Sequence, residues 1–195
     1  MEPRDFAGVV GLQRACFPAP FPEDQLWRAE HLQSHFECFP EGQFVAALED
    51  GTILGSASNC RISLENWRSH RPWEETVGGF HLKNHDDAGE ILYGADISVH
   101  PDSRRVGIGR SLYEARFALA RELKLTYATV CRLPGYRDHA DLTLDAYAEN
   151  VADGSLIDRT LTPLLKMGLR YAGTIKNYME DEESGHGGAI LEWCE

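Results

Sequence analysis

The stretch Ile97-Ser-Val-His-Pro-Asp-Ser-Arg-Arg-Val-Gly107-Ile-Gly109-Arg-Ser-Leu112 joins a predicted strand to a predicted helix through a glycine-bearing turn. Strand-forming residues fill positions 91–99, and apolar residues recur every three or four positions after the turn. The first amides of a helix have no partner within the helix and lie at its positive end, so they favour an anion. Because glycine lets a ligand approach the backbone closely, the stretch predicts a pyrophosphate site.

Three arginines, Arg104, Arg105 and Arg110, flank these glycines and carry donors that suit phosphate oxygens. A dinucleotide fingerprint would need a third glycine and an acidic residue after the next strand, and a nucleotide-triphosphatase loop would need Gly-Lys-Ser/Thr. Neither pattern occurs here. Since the local geometry cannot aim Arg104 and Arg105 at one phosphate, we expect the backbone amides to contribute more than either side chain.

The rest of the chain predicts a single α/β domain over residues 1–195. Predicted helices occupy 5–15, 23–36, 109–123, 142–151 and 158–167, and predicted strands occupy 43–48, 52–63, 91–99, 127–133, 169–178 and 188–193. A helix separates strands 91–99 and 127–133, so we expect these two strands to be parallel neighbours. Residues 65–89 are irregular but rich in aromatic residues, and we expect an ordered lid or pocket wall there.

Composition narrows the class of protein. Five cysteines without a Cys-x-x-Cys pair favour a reducing compartment and disfavour a zinc site. No leader and no apolar run of membrane-span length is apparent, so we expect a cytoplasmic protein with no membrane partner. A net charge of −12 argues against nucleic acid as the main partner. No metal is expected, and the sequence leaves a homodimer open.

The segment Arg104-Arg-Val-Gly107-Ile-Gly109 resembles the signature of the GNAT superfamily of N-acetyltransferases, which is arginine or glutamine, two residues, glycine, one residue, then glycine or alanine. Residues 168–173 resemble the last helix-to-strand junction of that family. Residues 92–97, 132–136 and 178–184 look like acetyltransferase domains fused ahead of carbon–nitrogen hydrolase domains. The resemblance implies a single-domain GNAT-like α/β fold with a mixed, mostly antiparallel central sheet flanked by helices. The family's first strand has little room before residue 5.

The resemblance also implies acetyl-CoA as the co-substrate. The backbone of residues 105–110 would hold the pyrophosphate, and the backbone of Ile97 and Val99 would pair with the pantetheine arm like an added strand. The full set of residues expected to bind the coenzyme is Ile97, Val99, Arg104, Arg105, Gly107, Ile108, Gly109, Arg110 and Ser111.

Acetyl transfer to an amine needs a base for the nitrogen and donors for the thioester oxygen. The family often supplies the base from the strand before the turn, where Asp96 and Tyr93 are the candidates and Tyr93 lies at the position that usually holds the base. A backbone N–H of the same strand helps to polarise the thioester in that family. Strand alternation puts them on opposite faces unless a bulge intervenes. Asp96 is the stronger base if burial raises its pKa, although a structural carboxylate is an equal alternative. The family's usual acid, a tyrosine four residues before the helix-ending glycine, is replaced by Leu164.

The acceptor amine is expected to contact Trp73, His81 and His85 of the irregular segment, together with Tyr136. The resemblance, taken with these residues, implies an N-acetyltransferase that acts on a small-molecule amine by direct attack in a ternary complex. Two alternatives stay open. The chain could be an acetyl-CoA-binding regulatory module without transferase activity, or it could acetylate proteins, which a lid over the acceptor side would disfavour.

Overall fold

The computed structural model describes residues 1–19 and 21–194. Its centre is one six-stranded sheet with the strand order β1-β2-β3-β4-β6-β5. Neighbouring strands are antiparallel except β3 and β4, which are parallel as expected. The strands are β1 (Phe44–Ala47), β2 (Ile53–Ile62), β3 (Ile91–Val99), β4 (Thr126–Cys131), β5 (Arg170–Ile175) and β6 (Gly188–Trp193).

Helices cover both faces of the sheet. They are α1 (Phe6–Cys16), α2 (Ala29–Cys38), α3 (Leu64–Arg68), α4 (Trp73–Val77), α5 (Ile108–Leu123), α6 (Leu144–Ala152) and α7 (Leu161–Lys166). The last three pack over one face in the largest apolar cluster, and the first four contribute to two clusters on the other face. The fold is therefore the predicted mixed, mostly antiparallel α/β fold.

The segment predicted to be irregular contains two short helices. The Ser63 side chain caps α3 by accepting a hydrogen bond from Asn66 N at 3.1 Å, and Gly78 ends α4 with φ 78°. Each helix has five residues, which is too short for helical periodicity to be recognised in a sequence. The segment is ordered, as expected.

The described chain begins with a 3₁₀ turn over Pro3–Asp5 that leads directly into α1. Within residues 1–19 there is thus no strand ahead of the first helix, in line with the short N-terminal segment. No helix in the described ranges has the length and apolar character needed to cross a bilayer.

The sheet divides where β3 meets β4. These strands pair only between Ile91–Gly94 and Thr126–Thr129, a contact we term the parallel seam. Beyond it β3 continues to Val99 beside β2 alone, whereas β4 continues beside β6. Residues 95–99 of β3 therefore have a backbone edge that β4 does not cover, and we call it the open edge.

Candidate active site

The turn before α5 has the conformation that its glycine predicts. Gly107 is the N-cap residue with φ 97° and ψ −7°, in the left-handed region, and no side chain caps the helix. Ser111 N donates to Gly107 O at 2.9 Å and begins the helical ladder. The amides of residues 108–110 precede that bond and have no partner within the helix. Val106 is 72% exposed, so the turn, which we call the cradle (residues 105–110), is open to a ligand.

The three arginines do not share one direction. Arg104 Nε donates to Val99 O at 3.3 Å, and Arg110 Nε lies 3.4 Å from the Glu114 carboxylate along α5. Arg105 has φ 65°, an unusual value for a residue with a side chain. This arrangement supports the expectation that backbone amides, rather than paired guanidinium groups, form the anion site.

The cradle lies directly on the sheet because β2 has a glycine beneath it. A Cβ atom on Gly55 would come within 2.8 Å of Ile108 Cγ2 and 3.1 Å of Leu112 Cδ1. The absence of a side chain thus lets the first turn of α5 approach the backbone of β2, which fixes the height of the cradle relative to the open edge.

The open edge presents alternate backbone groups. His100 N donates to Leu54 O at 2.8 Å, and bonding in an antiparallel pair alternates along the strand. The N–H and C=O groups of Ile97 and Val99 therefore point away from β2. In agreement, Val99 O accepts hydrogen bonds from Cys16 Sγ and from Arg104 Nε, each at 3.3 Å.

A β-bulge interrupts β3 at Ala95. Ser58 of β2 pairs with Asp96, but the next residue, Asn59, pairs with Gly94, which leaves Ala95 as the extra residue. The extra residue resets the alternation of side chains. Asp96 consequently faces α1, on the same side of the sheet as Tyr93, where simple alternation would have placed the two side chains on opposite faces.

Asp96 lies half-buried between β3 and α1. Its Oδ2 accepts a hydrogen bond from Gln13 Nε2 at 3.3 Å, and the same nitrogen donates to Ser98 Oγ at 2.9 Å. Burial raises the pKa of Asp96, and a hydrogen bond from Trp27 and the charge of Arg116 partly oppose that rise. A carboxylate with a raised pKa is a stronger base than an exposed one and is better suited to accept a proton.

Tyr93 has a different environment. It is completely buried, and its hydroxyl hydrogen-bonds to the Tyr178 hydroxyl. Burial raises the pKa of Tyr93 well above its usual value, and the neighbouring Tyr178 adds to that rise. A phenol in this setting stays protonated at neutral pH.

An aromatic cluster covers the face that carries Asp96. Trp73 Nε1 donates to Ala95 O at 3.0 Å, directly at the bulge. The Trp73 ring lies 5.9 Å from that of Trp27 and 5.6 Å from that of Phe80. We call Trp27, Trp73 and Phe80 the acceptor-side cluster. Among the predicted acceptor residues, Trp73 is the one that hydrogen-bonds to the residue next to Asp96.

The other predicted acceptor residues are not brought together. The ring of His81 packs edge-on against His31 at 4.9 Å, beside the acceptor-side cluster. His85 hydrogen-bonds to Arg61 N at 3.1 Å and stacks on Phe39. Tyr136 lies with α6, where its hydroxyl donates to Leu142 O at 3.0 Å. Acceptor roles for His81, His85 and Tyr136 remain predictions.

Sequence reasoning missed Arg116 of α5. It is 1% exposed and lies on the apolar face of the helix, one turn after Leu112 and Tyr113. A cation on an apolar helix face is a visible signal, because arginine is almost never fully buried unless it has specific partners. Trp27, which the sequence does not distinguish from core residues, was missed as a neighbour of Asp96.

A model of the "Acetyltransferase (GNAT) family" matches residues 6–138. The uncharacterized N-acetyltransferase YkwB of Bacillus subtilis is 35% identical over 191 residues, covering 97% of this chain and 84% of that protein. The probable hydrolase YhcX of the same organism is 36% identical over 196 residues, covering 99% of this chain. This chain spans only 37% of the length of YhcX.

Solved structures agree with the fold. The GphF GNAT-like decarboxylase in complex with isobutyryl-CoA superposes with a TM-score of 0.79 and 25% identity, covering 98% of this chain and 95% of that one. An N-acetyltransferase from Staphylococcus aureus Mu50 superposes with a TM-score of 0.59 and 15% identity, covering 99% and 94%. The fold and these matches define a GNAT-like α/β protein. The chain belongs to the acetyltransferase (GNAT) family.

Proposed function

We propose that this protein transfers the acetyl group of acetyl-CoA to the amine of a small molecule, by direct attack in a ternary complex. The observation that carries the proposal is the open edge of β3 next to the cradle. The amides of residues 108–110 offer donors for a pyrophosphate. The N–H and C=O of Ile97 and the N–H of Val99 point away from β2 and can pair with an extended amide-containing arm. The thioester would then lie beside the bulge.

The surroundings of Asp96 favour a small acceptor. The acceptor-side cluster packs over the bulge, and Gln25 Nε2 donates to Glu180 Oε2 at 3.1 Å, which connects the α1–α2 loop to the β5–β6 loop. We take this cover over the acceptor side as support for a small acceptor rather than an extended peptide. Acetylation of protein substrates is therefore the less favoured alternative.

Direct attack is favoured by the state of the nearest thiol. Cys16, whose Sγ contacts Val99 O, is the cysteine next to the open edge. Burial raises the pKa of the Cys16 thiol, although the charge of Arg104 opposes that rise. A protonated thiol is a poor nucleophile, so an acetyl-cysteine intermediate is disfavoured. In the proposed reaction the amine attacks the thioester carbon and Asp96 takes the proton of the amine. The carbon–sulfur bond then breaks, and the coenzyme leaves as a thiolate that solvent protonates.

The test is release of free coenzyme thiol from acetyl-CoA in the presence of a panel of small amines, with the variants Asp96→Asn and Tyr93→Phe. We expect Asp96→Asn to lower the rate by about 10²–10⁴-fold, the usual contribution of a general base. Tyr93→Phe should have a much smaller effect, since its hydroxyl is buried against Tyr178. Tight binding of acetyl-CoA without turnover of any amine would instead support the regulatory-module alternative.

A second candidate activity is decarboxylation of an acyl-CoA that carries a carboxylate on its α-carbon. The similarity to the GphF decarboxylase, with TM-score 0.79 against 0.59 for the S. aureus N-acetyltransferase, favours it. In this reaction the bond between the α-carbon and the carboxylate breaks and CO₂ leaves. The electron pair of the broken bond stays on the α-carbon and forms the thioester enolate, which then takes a proton on that carbon. Incubation with malonyl-CoA without amine distinguishes the two, because only a decarboxylase would produce acetyl-CoA.

A further inference from the structure

Arg116 is a buried cation without a carboxylate partner in the described part of the chain. Its guanidinium donates to Tyr127 Oη at 3.1 Å and to Ser58 O at 3.3 Å, and it also donates to Asp96 O. It lies 5.1 Å from the ring centre of Tyr113. Within residues 1–19 and 21–194, its Nε has no hydrogen-bond partner. Its hydrogen-bonding partners are all uncharged, and burying a charge is costly unless it is paired, so the position of this cation calls for a reason beyond packing.

The guanidinium reaches the sheet at the bulge. Ser58 and Asp96 are the last residues that pair in register before Ala95 is inserted, and Arg116 Nη2 binds the carbonyl oxygens of both. Arg116 comes from α5, the same helix whose first turn forms the cradle. One rigid helix therefore positions the proposed pyrophosphate site and also holds the part of β3 that lies next to the thioester in the proposed function.

The carbonyl that Arg116 binds belongs to the peptide unit between Asp96 and Ile97. In a trans peptide the C=O and the N–H point in opposite directions. Because Asp96 C=O faces Arg116 and β2, Ile97 N–H faces the open edge, in agreement with the alternation set by His100 and Leu54. A cation on the carbonyl oxygen withdraws electron density from the whole unit and makes its N–H a stronger donor.

We propose that Arg116 is a positioning residue that orients and polarises the Asp96–Ile97 peptide unit, and that it thereby strengthens Ile97 N–H as the backbone donor that the family resemblance implies for the thioester oxygen of the bound acyl-CoA. The inference rests on the proposed function only in requiring that an acyl-CoA binds along the open edge. It applies to both candidate reactions, because amine attack and decarboxylation each place negative charge on the same thioester oxygen.

The test compares the wild-type protein with Arg116→Met, Arg116→Gln and Tyr127→Phe, using acetyl-CoA labelled with ¹³C at the thioester carbonyl. The infrared frequency of that carbonyl falls when its oxygen accepts a stronger hydrogen bond, and no amine is needed to measure it. We expect the wild-type protein to lower the frequency relative to free acetyl-CoA and Arg116→Met to abolish most of that shift. Tyr127→Phe, which keeps the charge, should retain it.

In steady-state kinetics, we expect Arg116→Met to lower kcat while leaving KM nearly unchanged. With the best amine of the panel, or with malonyl-CoA, Arg116→Met should lower kcat by about 10- to 100-fold, less than the ~10²–10³ for removal of an oxyanion donor itself. The KM for the acyl-CoA should change by less than about twofold, because the cradle is intact and the contacts made equally in the ground state and the transition state are unchanged. Loss of binding without a change in kcat would show a structural role and overturn the inference.

The outcomes separate the two proposals. If the wild-type protein does not bind acetyl-CoA, the proposed function and this inference both fail. If it binds acetyl-CoA but the carbonyl frequency is the same in Arg116→Met, only this inference fails. Should Arg116→Met not fold, Arg116→Gln carries the test, since its amide can still donate a hydrogen bond but carries no charge. An unchanged frequency in that variant would equally overturn the inference.

Discussion

Ala95 determines what Asp96 can do. Without the extra residue, Asp96 would face α5 and its carboxylate would lie in the main apolar cluster; with it, the carboxylate faces Gln13, Ser98 and the acceptor-side cluster. The same environment that raises the pKa of Asp96 also makes its ionised form costly in the folded protein.

That cost gives a stability prediction for Asp96→Asn. The folded-state pKa is raised above the unfolded value of about 3.9, so ionisation destabilises the folded protein at pH 7. We expect Asp96→Asn to unfold at a higher temperature than the wild-type protein at pH 7. The difference should shrink as the pH falls towards the unfolded value, where both states of the wild-type protein are protonated. Thermal unfolding followed by circular dichroism from pH 4 to 8 measures it.

Asp153→Asn is the control of opposite sign. Hydrogen bonds from Ser155 lower the pKa of Asp153, so its carboxylate stabilises the folded state at neutral pH. Its removal should lower the unfolding temperature at pH 7, with the difference disappearing at acid pH. Equal and pH-independent effects of the two variants would contradict the assignment of a raised pKa to Asp96.

Gly107 and Gly154 allow a matched test of the cradle. Both have positive φ, 97° and 88°, and a Cβ on either would meet open space within 4 Å. Alanine at either position should lower the free energy of unfolding by a similar ~1–2 kcal/mol, because a residue with a Cβ atom is strained in the left-handed conformation. Only Gly107→Ala puts a methyl group in the cradle, so it should weaken acetyl-CoA binding by about tenfold or more, equivalent to ~1.4 kcal/mol. Isothermal titration calorimetry of both variants measures this; equal affinities would exclude the cradle as the coenzyme site.

At the scale of elements, the sequence predicted the order and pairing of helices and strands better than it predicted the bulge in β3 or the partners of Arg116. The order of helices and strands, the parallel pair β3 and β4, and the glycine turn follow from periodicity and turn chemistry, which act over a few residues. The bulge at Ala95 has no such local mark, because alanine fits regular and bulged strands alike. Arg116 hydrogen-bonds to Ser58 and Tyr127, which are 58 and 11 residues away from it in sequence. The surroundings of its charge can therefore be seen only in the folded chain.

The contact between β2 and α5 gives an element-scale prediction for Gly55→Ala. The new Cβ would overlap Ile108 Cγ2 at 2.8 Å, which should cost about 1–3 kcal/mol of stability and push the first turn of α5 off the sheet. We expect weaker binding of acetyl-CoA in the folded protein. Gly188→Ala is the control, since its Cβ would overlap Val130 Cγ1 at 2.5 Å far from the cradle. It should lower stability but not affinity, and weaker binding in both variants would point to general loosening.

At the scale of the whole molecule, the sheet consists of two antiparallel halves, β1-β2-β3 and β4-β6-β5, joined by the parallel seam. Outside the seam, Arg132 ties the end of β4 to the β5–β6 loop through Asp181, at 2.6 Å for each of two hydrogen bonds. Glu183 in the same loop also pairs with Arg137 and Arg159. The second half is thus internally cross-linked, whereas its connection to the first half is short.

A coenzyme that binds along the open edge should therefore stabilise the whole fold. At 100 times its dissociation constant, acetyl-CoA should contribute about 2.7 kcal/mol and raise the unfolding temperature by roughly 5–10 °C. Pantetheine, which lacks the pyrophosphate, and adenosine 3′,5′-bisphosphate, which lacks the arm, should each produce a smaller rise at the same concentration. A full effect from the nucleotide alone would show that the open edge takes no part in binding.

The four-pair seam also bears on how the chain opens. A short parallel contact is slow to form during folding, because its strands are separated by a long crossover. Residues 91–94 and 127–129 are nevertheless buried, whereas β1 is an edge strand of four half-buried or exposed residues. Amide hydrogens of the seam should therefore exchange with solvent later than those of β1. The two halves of the sheet would join late during folding and, once joined, would open last.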